Sequence, residues 1–574
     1  MKRILFCVIA FSLYLTRMAS SVIDPDLQNE MVQRNDDEKI KVNMLLTEQS
    51  DAMALLREAE FYSSKQERRQ FVVETLKRQA KVTQSELLKN LEEMEQNGMV
   101  EDIQPFWLVN CVSCKANKTA INDLAQLRDI MTIYHCEEAQ WIFEQEATPA
   151  PRSNNREITQ NLLQVNAPQA WEQGYTGSGV LIALIDTGVR LDHADLAGRL
   201  WDGGSEYPNH GYDFYYHDND PSDDRGHGTH VAGTICGTGA SGSQTGIAPG
   251  STIMALKAFN SEGVGEETHW VAAMQFALEH GADLMNMSLG RPQPNAAQKL
   301  MMRQACDNTL AAGVVVAACA GNLRQMGFMV PPPNNIYTPG DCPPPHLHED
   351  QLVNAGGVSC VISVGAVDYD NAIAPFSSEG PSQWTDVAQY NDYPYTAGST
   401  TEIGLIRPDI CAPGVQIKSL DYNTTDGYTL MDGTSMATPL VAGTIALMLS
   451  KNHELTPAQI DEILEHTTVK LTEHKSNDFG SGLLDALAAV NAVDPDVLSE
   501  TQNEIGVYPN PSKGNFTIVG EGINSVSVIS VEGKLLKTIV VNGNECHING
   551  LPNGIFVLKI DTDNGVIVNK IVKM

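Results

Sequence analysis

Between residues 156 and 494 the chain alternates two kinds of apolar segment, and this alternation constrains the fold more than any other feature. The short kind, "VLIALI", "TIMAL", "DLMNMSLG", "VVVAACA" and "CVISVGAV", is apolar throughout and rich in β-branched residues. It lacks the in-and-out alternation of a strand with one wet face. Between these runs lie longer helix-like stretches, "HVAGTIC", "HWVAAMQFALEHGA" and "NAAQKLMMRQACDNTLAAG". Strands that are apolar on both faces must be covered on both, so the region is expected to be an α/β domain, a parallel sheet with helices on each side. In such a sheet the residues that meet ligands lie just beyond the carboxyl ends of the strands.

One core does not serve 574 residues, and the flanks read as separate units. Residues 1–21, "MKRILFCVIAFSLYLTRMASS", have a basic start, an apolar centre and small residues at the end, the layout of a secretory signal peptide. The apolar run is shorter than the ~20 residues a membrane span needs. Residues 22–155 are charged and helical in pattern, turn strand-like at "IQPFWLVNCV", and end in the Pro- and Asn-rich linker "EATPAPRSNNRE". A small α+β unit is expected there. After a linker at 495–504, residues 505–574 carry short alternating runs such as "SVSVIS" and "IFVLKI" between turn residues, which predicts a small all-β sandwich. Lys+Arg number 38 against 71 Asp+Glu, a net charge of −33, which argues against nucleic acid or an anionic membrane as partner.

Of eleven cysteines, Cys236, Cys319 and Cys411 sit where a small buried residue would serve. Cys342 and Cys360 bracket a loop and are candidates for a disulfide. Cys111 and Cys114 form a CxxC followed by His135 and Cys136, which admits zinc, although cysteine as strand filler is the commoner role. "HLHED", His346 to Asp350, has ligand-type side chains, but without a partner cluster it reads as a solvated polar turn before a metal site.

The chemistry lies at the strand ends. Asp186 follows "VLIALI", His227 opens a helix after the acidic loop "YHDNDPSDDRG", and Gly321 and Asn322 follow "VVVAACA". Ser435 stands at the start of the apolar helix in "DGTSMATPLVAG", with Pro439 expected in its first turn. Alone, each has an ordinary reading: an Asx-turn, a helix-end histidine, an N-cap. Together they are the groups a serine nucleophile requires: an imidazole to take its proton, a carboxylate to orient that imidazole, and donors for the oxyanion. The order Asp, His, Ser excludes the esterase arrangement, which expects G-x-S-x-G with both partners downstream; here Ala437 replaces the second glycine.

Residues 157–494 resemble the subtilisin-like serine proteases, in particular the bacillopeptidase F-like branch. "IALIDTG", "GHGTHVAGT", "MNMSLG", "AGN", "FSSEGP", "RPDICAPG" and "DGTSMATPLVAG" occur in that family's order. The resemblance implies a secreted endopeptidase in which Asp186 orients His227, His227 is general base and acid, and Ser435 forms the acyl-enzyme. Asn322 and the Ser435 N–H would form the oxyanion hole. It also implies that a substrate peptide adds as a strand between Gly263-Val264-Gly265 and Ser288-Leu289-Gly290, with Gly321 near the cleft. Leu323 stands where many relatives carry Glu, so an apolar residue is expected before the scissile bond. The long loop 323–359 is either a specificity loop or a surface insertion. His230 is expected to be structural.

No cofactor is implied for the chemistry. Structural calcium is a family expectation, with Asp218, Asp220, Asp223 and Asp224 as candidate ligands against the alternative of a solvated acidic loop. Residues 22–146 resemble an inhibitory pro-region, strongest at "IQPFWLVNCVSCKAN" and "LAQLRDIMTIY". Residues 505–574 resemble the C-terminal sorting domain of type IX secretion, which implies that machinery as a partner and the cell surface or exterior as destination. The rival from another class is a surface-binding protein on an inactive protease fold.

Overall fold

The computed structural model describes residues 22–62, 64–143, 147–150, 157–343, 361–384, 387, 404–494, 506–508, 515–519, 522–530, 534–541, 545–562 and 565–573. The signal segment 1–21, the stretches 151–156 and 495–505, Cys360 and "HLHED" lie outside them.

In the N-terminal unit, strands β1 (Ile40–Leu46), β2 (Val100–Phe106), β3 (Cys111–Ala116) and β4 (Ile130–His135) form an antiparallel sheet in the order β2-β3-β1-β4. Helices α1 (Ala52–Ala59), α2 (Lys65–Thr83) and α3 (Ser85–Gln96) accompany it. Helix α2 opens with a capping box in which Ser64 and Glu67 satisfy each other's backbone N–H groups. The sheet buries both faces. Val42, Met44, Cys114 and Ile133 pack under Leu87 and Leu91, while Leu45, Cys111 and Tyr134 face the central domain. Cys111 and Cys114 are three residues apart on one strand and so point to opposite faces, which leaves them unable to share a metal.

The run "IQPFWLVNCV" is not one strand. Trp107–Asn110 form a turn between β2 and β3, with Asn110 at positive φ. Leu108 and Val109 are apolar because the turn docks on another domain, where the Gln275 side-chain oxygen accepts from the N–H groups of Trp107 (2.7 Å) and Leu108 (2.9 Å). Two short strands end this part of the chain, β5 (Ala139–Gln140) and β6 (Thr148–Pro149).

The central domain has the expected layering. Its strands are β7 (Leu181–Asp186), β8 (Gly211–Asp213), β9 (Thr252–Lys257), β10 (Val264–Gly265), β11 (Leu284–Met287), β12 (Val315–Cys319), β13 (Val361–Val367) and β14 (Ile410–Pro413). All but β10 form a seven-stranded parallel sheet in the order β14-β13-β12-β11-β7-β9-β8. β8 and β14 were not legible as strands: each is a short edge piece, and β14 ends in Pro413 where no further partner needs its N–H.

Helices α4 (His227–Cys236), α5 (Glu267–Glu279), α6 (Ala296–Ala311) and α7 (Thr434–Lys451) cover the sheet. Alternate residues of β7 show why the strand is apolar throughout. Ile182 and Leu184 pack with Val231, Leu440 and Val441 of α4 and α7, whereas Ala183 and Ile185 join Trp270, Met274 and Leu300 of α5 and α6. Strands β15 (Ile417–Leu420) and β16 (Tyr428–Met431) form a hairpin just before α7.

The C-terminal unit pairs two antiparallel sheets, one of Gly506–Tyr508, Phe516–Val519 and Glu545–Ile548, the other of Ile523–Ser530, Leu535–Val540, Gly554–Thr562 and Gly565–Lys573. Phe516, Ile518 and Ile548 share a core with Val526, Val528 and Leu558, so the two sheets form a sandwich.

Candidate active site

Asp186 is the last residue of β7 and His227 the first of α4, both buried, and the Asp186 Oδ1 accepts from His227 Nδ1 at 2.7 Å. The same oxygen accepts from the Thr187 N–H at 2.7 Å, which fixes the carboxylate. Helix α4 must approach β7 closely for this contact: a Cβ on Gly228 would lie 2.1 Å from the Gly188 carbonyl oxygen. A further carboxylate braces the pair. Asp223 accepts from Thr187 Oγ1 (2.9 Å), from the N–H groups of Arg225 and Gly226, and from the N–H and hydroxyl of Thr229.

The carboxylates expected to be calcium ligands are engaged in other contacts. Both oxygens of Asp223 are committed to holding the start of α4, and Asp224 pairs with Lys257 at 2.7 Å. Asp220 accepts from Ser222 and Asp218 from the Asp220 N–H. These four side chains do not form a cation site. Among the described residues no cluster of three or more His, Cys, Asp or Glu is arranged to hold a metal, the Cys111–Cys114 motif included.

Ser435 lies in the first turn of α7, whose N-cap is Gly433, so its hydroxyl caps nothing. It donates instead to the Ser288 carbonyl at 3.2 Å. Pro439 is one turn deeper than expected, inside the helix. Its missing N–H is the one that would bond the Ser435 carbonyl, and Ser288 Oγ takes its place at 2.9 Å. The proline thus frees the Ser435 carbonyl to be tied to the loop after β11. Helix α7 packs against α4 and so brings the Ser435 and His227 helices together.

Asn322 is oriented by a residue the sequence reading missed. Its Oδ1 accepts from the Thr434 N–H and hydroxyl, both at 3.0 Å, and the Thr434 hydroxyl in turn accepts from the Gly321 N–H at 3.1 Å. With the amide oxygen held there, Nδ2 faces the cleft and donates to the Phe143 carbonyl at 3.4 Å. Gly321 adopts φ 108°, and a Cβ there would meet the Tyr337 ring at 2.7 Å. Thr434 had no signal of its own beyond adjacency to Ser435.

The expected peptide-binding strands are occupied by the N-terminal unit. β5 pairs antiparallel with β10, Val264 opposite Gln140 and Gly265 opposite Ala139. The Trp141 N–H donates to the Gly263 carbonyl (3.0 Å), its indole N–H to the Gly265 carbonyl (2.9 Å), and the Gly290 N–H to the Trp141 carbonyl (3.1 Å). The Trp141 ring lies against Phe259 and Trp270. Ser288 and Leu289, expected on the other side of the cleft, make hydrogen bonds that run inward, to Ser435 and Cys319. Beside Phe143 a cavity of about 400 Å³ opens between Asn322, Leu323, Tyr337 and Phe376. Leu323 is buried against Tyr337, and the Phe143 ring tilts onto Tyr337 at 5.4 Å.

The remaining expectations sort by burial. His230 donates through Nε2 to the Ile417 carbonyl at 2.9 Å, and burial pushes its pKa down to about 3, so it stays neutral and structural. Cys342 is a buried free cysteine in the central core, and its suggested partner Cys360 lies outside the described residues. Cys236 and Cys411 are buried thiols, as expected, and the Cys319 thiol donates to the Leu289 carbonyl.

Comparison with known proteins decides the family. The model of the subtilase family matches residues 177–482, a stretch that contains every residue of this site except those contributed by the N-terminal unit. The chain belongs to the subtilase family of serine proteases. It is 33% identical to subtilisin DY of Bacillus licheniformis over 57% of this chain and 96% of that protein. Subtilisin E of Bacillus subtilis (strain 168) is 31% identical over 69% of this chain and 84% of its own length. Bacillopeptidase F of the same strain is 28% identical over 77% of this chain, a match that spans only 30% of bacillopeptidase F. This subtilase is therefore a serine endopeptidase. Residues 506–574 match the secretion system C-terminal sorting domain, which marks the subtilase for type IX secretion to the cell surface or beyond. Among the described residues no helix is long and apolar enough to cross a membrane.

Proposed function

We propose that hydrolysis runs through Asp186, His227 and Ser435 with Asn322 beside the oxyanion, and that residues 22–143 are a pro-region that blocks the cleft until its last bond is cut. The observation that carries this reading is the Asn322 contact, in which the amide suited to an oxyanion already reaches a carbonyl of the pro-region. His227 takes the Ser435 proton as Oγ attacks the carbonyl carbon. The oxyanion is held by Asn322 Nδ2 and the Ser435 N–H, at the favourable end of the α7 dipole. His227 then passes the proton to the leaving amine, and water repeats the sequence to release the acid. Asp186 keeps Nδ1–H in place and stabilises the imidazolium. An organophosphorus fluoridate tests this. One adduct on the peptide containing Ser435, formed in step with loss of casein hydrolysis, supports it; full labelling with activity retained overturns it.

The carbonyl that reaches Asn322 belongs to Phe143, so the bond read as cleaved is the one that follows it, and the apolar wall of Leu323 and Tyr337 suits an apolar residue before the cut. A peptide library is expected to favour Phe, Leu or Met there. A requirement for a charged residue would contradict the assignment.

The pro-region interface also predicts a pH dependence. Glu267, at the start of α5, accepts from Asn43 Nδ2 at 2.9 Å and lies beside Tyr134, both of the pro-region. Glu266, Arg291, Cys111 and Cys136 also act on it. Burial pushes its carboxyl up to about 7. Release returns it towards the ordinary ~4.3, so the bound state holds the extra proton, and affinity falls as pH rises from about 5 to 7. Lys65 of the pro-region, 3.6 Å from Asp283 and flanked by Arg69 and Glu454, is pushed down to about 8 by burial. Its release restores a value near ~10.4, so affinity recovers as pH rises above 8. Co-elution of the cut pro-region with organophosphate-blocked enzyme should be weakest between about pH 7 and 8, and Glu267→Gln should remove the acid limb. A flat profile from pH 5 to 7 would refute it.

A further inference from the structure

The hairpin before α7 carries a second strand pairing that the cleft residues do not explain. β6 adds to the outer edge of β16, with Pro149 opposite Thr429 and Thr148 opposite Leu430. The Ala150 N–H donates to the Tyr428 carbonyl at 3.1 Å, and the Thr429 hydroxyl to the Thr148 carbonyl at 2.8 Å. In the sheet order β15-β16-β6 nothing else covers that edge among the described residues. Exposed edges are ready templates for another extended chain.

The register ties this edge to the reaction. Thr148 lies five residues after Phe143, and its partner Leu430 lies five residues before Ser435. The edge therefore belongs to the strand that leads into Ser435, and the residue five places before Thr148 is Phe143. The same residue meets Asn322 through its carbonyl, an independent contact. The pairing also explains a proline. Because Ala150 bonds Tyr428, the neighbouring Pro149–Thr429 pair occupies a non-hydrogen-bonded position, where a missing N–H costs nothing.

The geometry points to the outer edge of Tyr428–Met431 as a substrate subsite that takes the fifth to seventh residues after the scissile bond as an added antiparallel strand. Its ligand is extended peptide backbone, with N–H needed at the seventh position and not at the sixth. In the uncut chain Thr148 to Ala150 occupy it. The inference rests on Phe143–Glu144 being the bond cleaved.

A full chain with a site-specific protease sequence in place of 151–156 is allowed to process itself and is then cut there, so that residues 144–150 can leave. It is assayed on peptides that share an unprimed side ending in Phe and carry three to eight residues beyond the cleaved bond. We expect kcat/KM to rise about tenfold as the seventh residue is added and then to level, the scale of one or two backbone hydrogen bonds. Proline at the sixth position should keep the gain, and proline at the seventh should abolish it. A flat length series, or equal effects of the two prolines, overturns the subsite. The mass of the released pro-region reports separately: a cut elsewhere than Phe143–Glu144 overturns the cleavage reading, while a flat series with that cut in place overturns the subsite alone.

Discussion

Ser435→Ala is expected to lower casein hydrolysis by about 10⁶-fold, a magnitude carried over from subtilisin itself, while leaving the chain folded. Among the described residues the hydroxyl bonds the Ser288 carbonyl, so its loss costs little packing. The Ser435 carbonyl keeps its bond from Ser288 Oγ, and Thr434 keeps its hold on Asn322. The loss should therefore fall on kcat, with thermal unfolding close to that of the parent chain. Residual activity within a hundredfold of the parent would show that another group is the nucleophile. Steady-state kinetics together with a melting curve checks both halves.

Asp186→Ala is expected to lower kcat by about 10⁴-fold, again on the scale carried over from subtilisin. The smaller number has a structural reason: His227 remains at the start of α4, but the carboxylate that holds its Nδ1–H and stabilises the imidazolium is gone. The Thr187 N–H also loses its acceptor at 2.7 Å in a buried setting, so some loss of stability accompanies the loss of rate. Asp223 does not compensate, because both its oxygens are already occupied by Thr187, Arg225, Gly226 and Thr229. Activity within tenfold of the parent would place the orienting carboxylate elsewhere.

Much of this fold could be read before the structure, and the reasons differ by element. The continuous apolar runs identified β7, β9, β11, β12 and β13 because both faces of each are buried, as the split of β7 between two cores shows. Edge strands β8 and β14 escaped because three or four residues carry too little pattern. The turn Trp107–Asn110 was misread as strand because its apolar residues are buried against another domain and not within a sheet. Asp186, His227, Asn322 and Ser435 could be picked out from their places after strands and at helix starts. Their supports were not. Thr434 meets Asn322 across 112 positions and Asp223 meets Thr187 across 36, and contacts of that kind leave no local spacing to find. For the same reason the spacing of Asp223 gave no sign that it braces the start of α4.

The central claim is that the groups around Ser435 hydrolyse peptide bonds, beginning with one in their own chain. It is tested most directly by the N-terminal sequence of the catalytic chain recovered from purified wild type and from Ser435→Ala. The account predicts a chain that begins at Glu144 in the wild type, or is trimmed further from there, and an uncut Ser435→Ala precursor under the same conditions. The same Glu144 end in both chains, or a first wild-type cut away from residue 143, would contradict it.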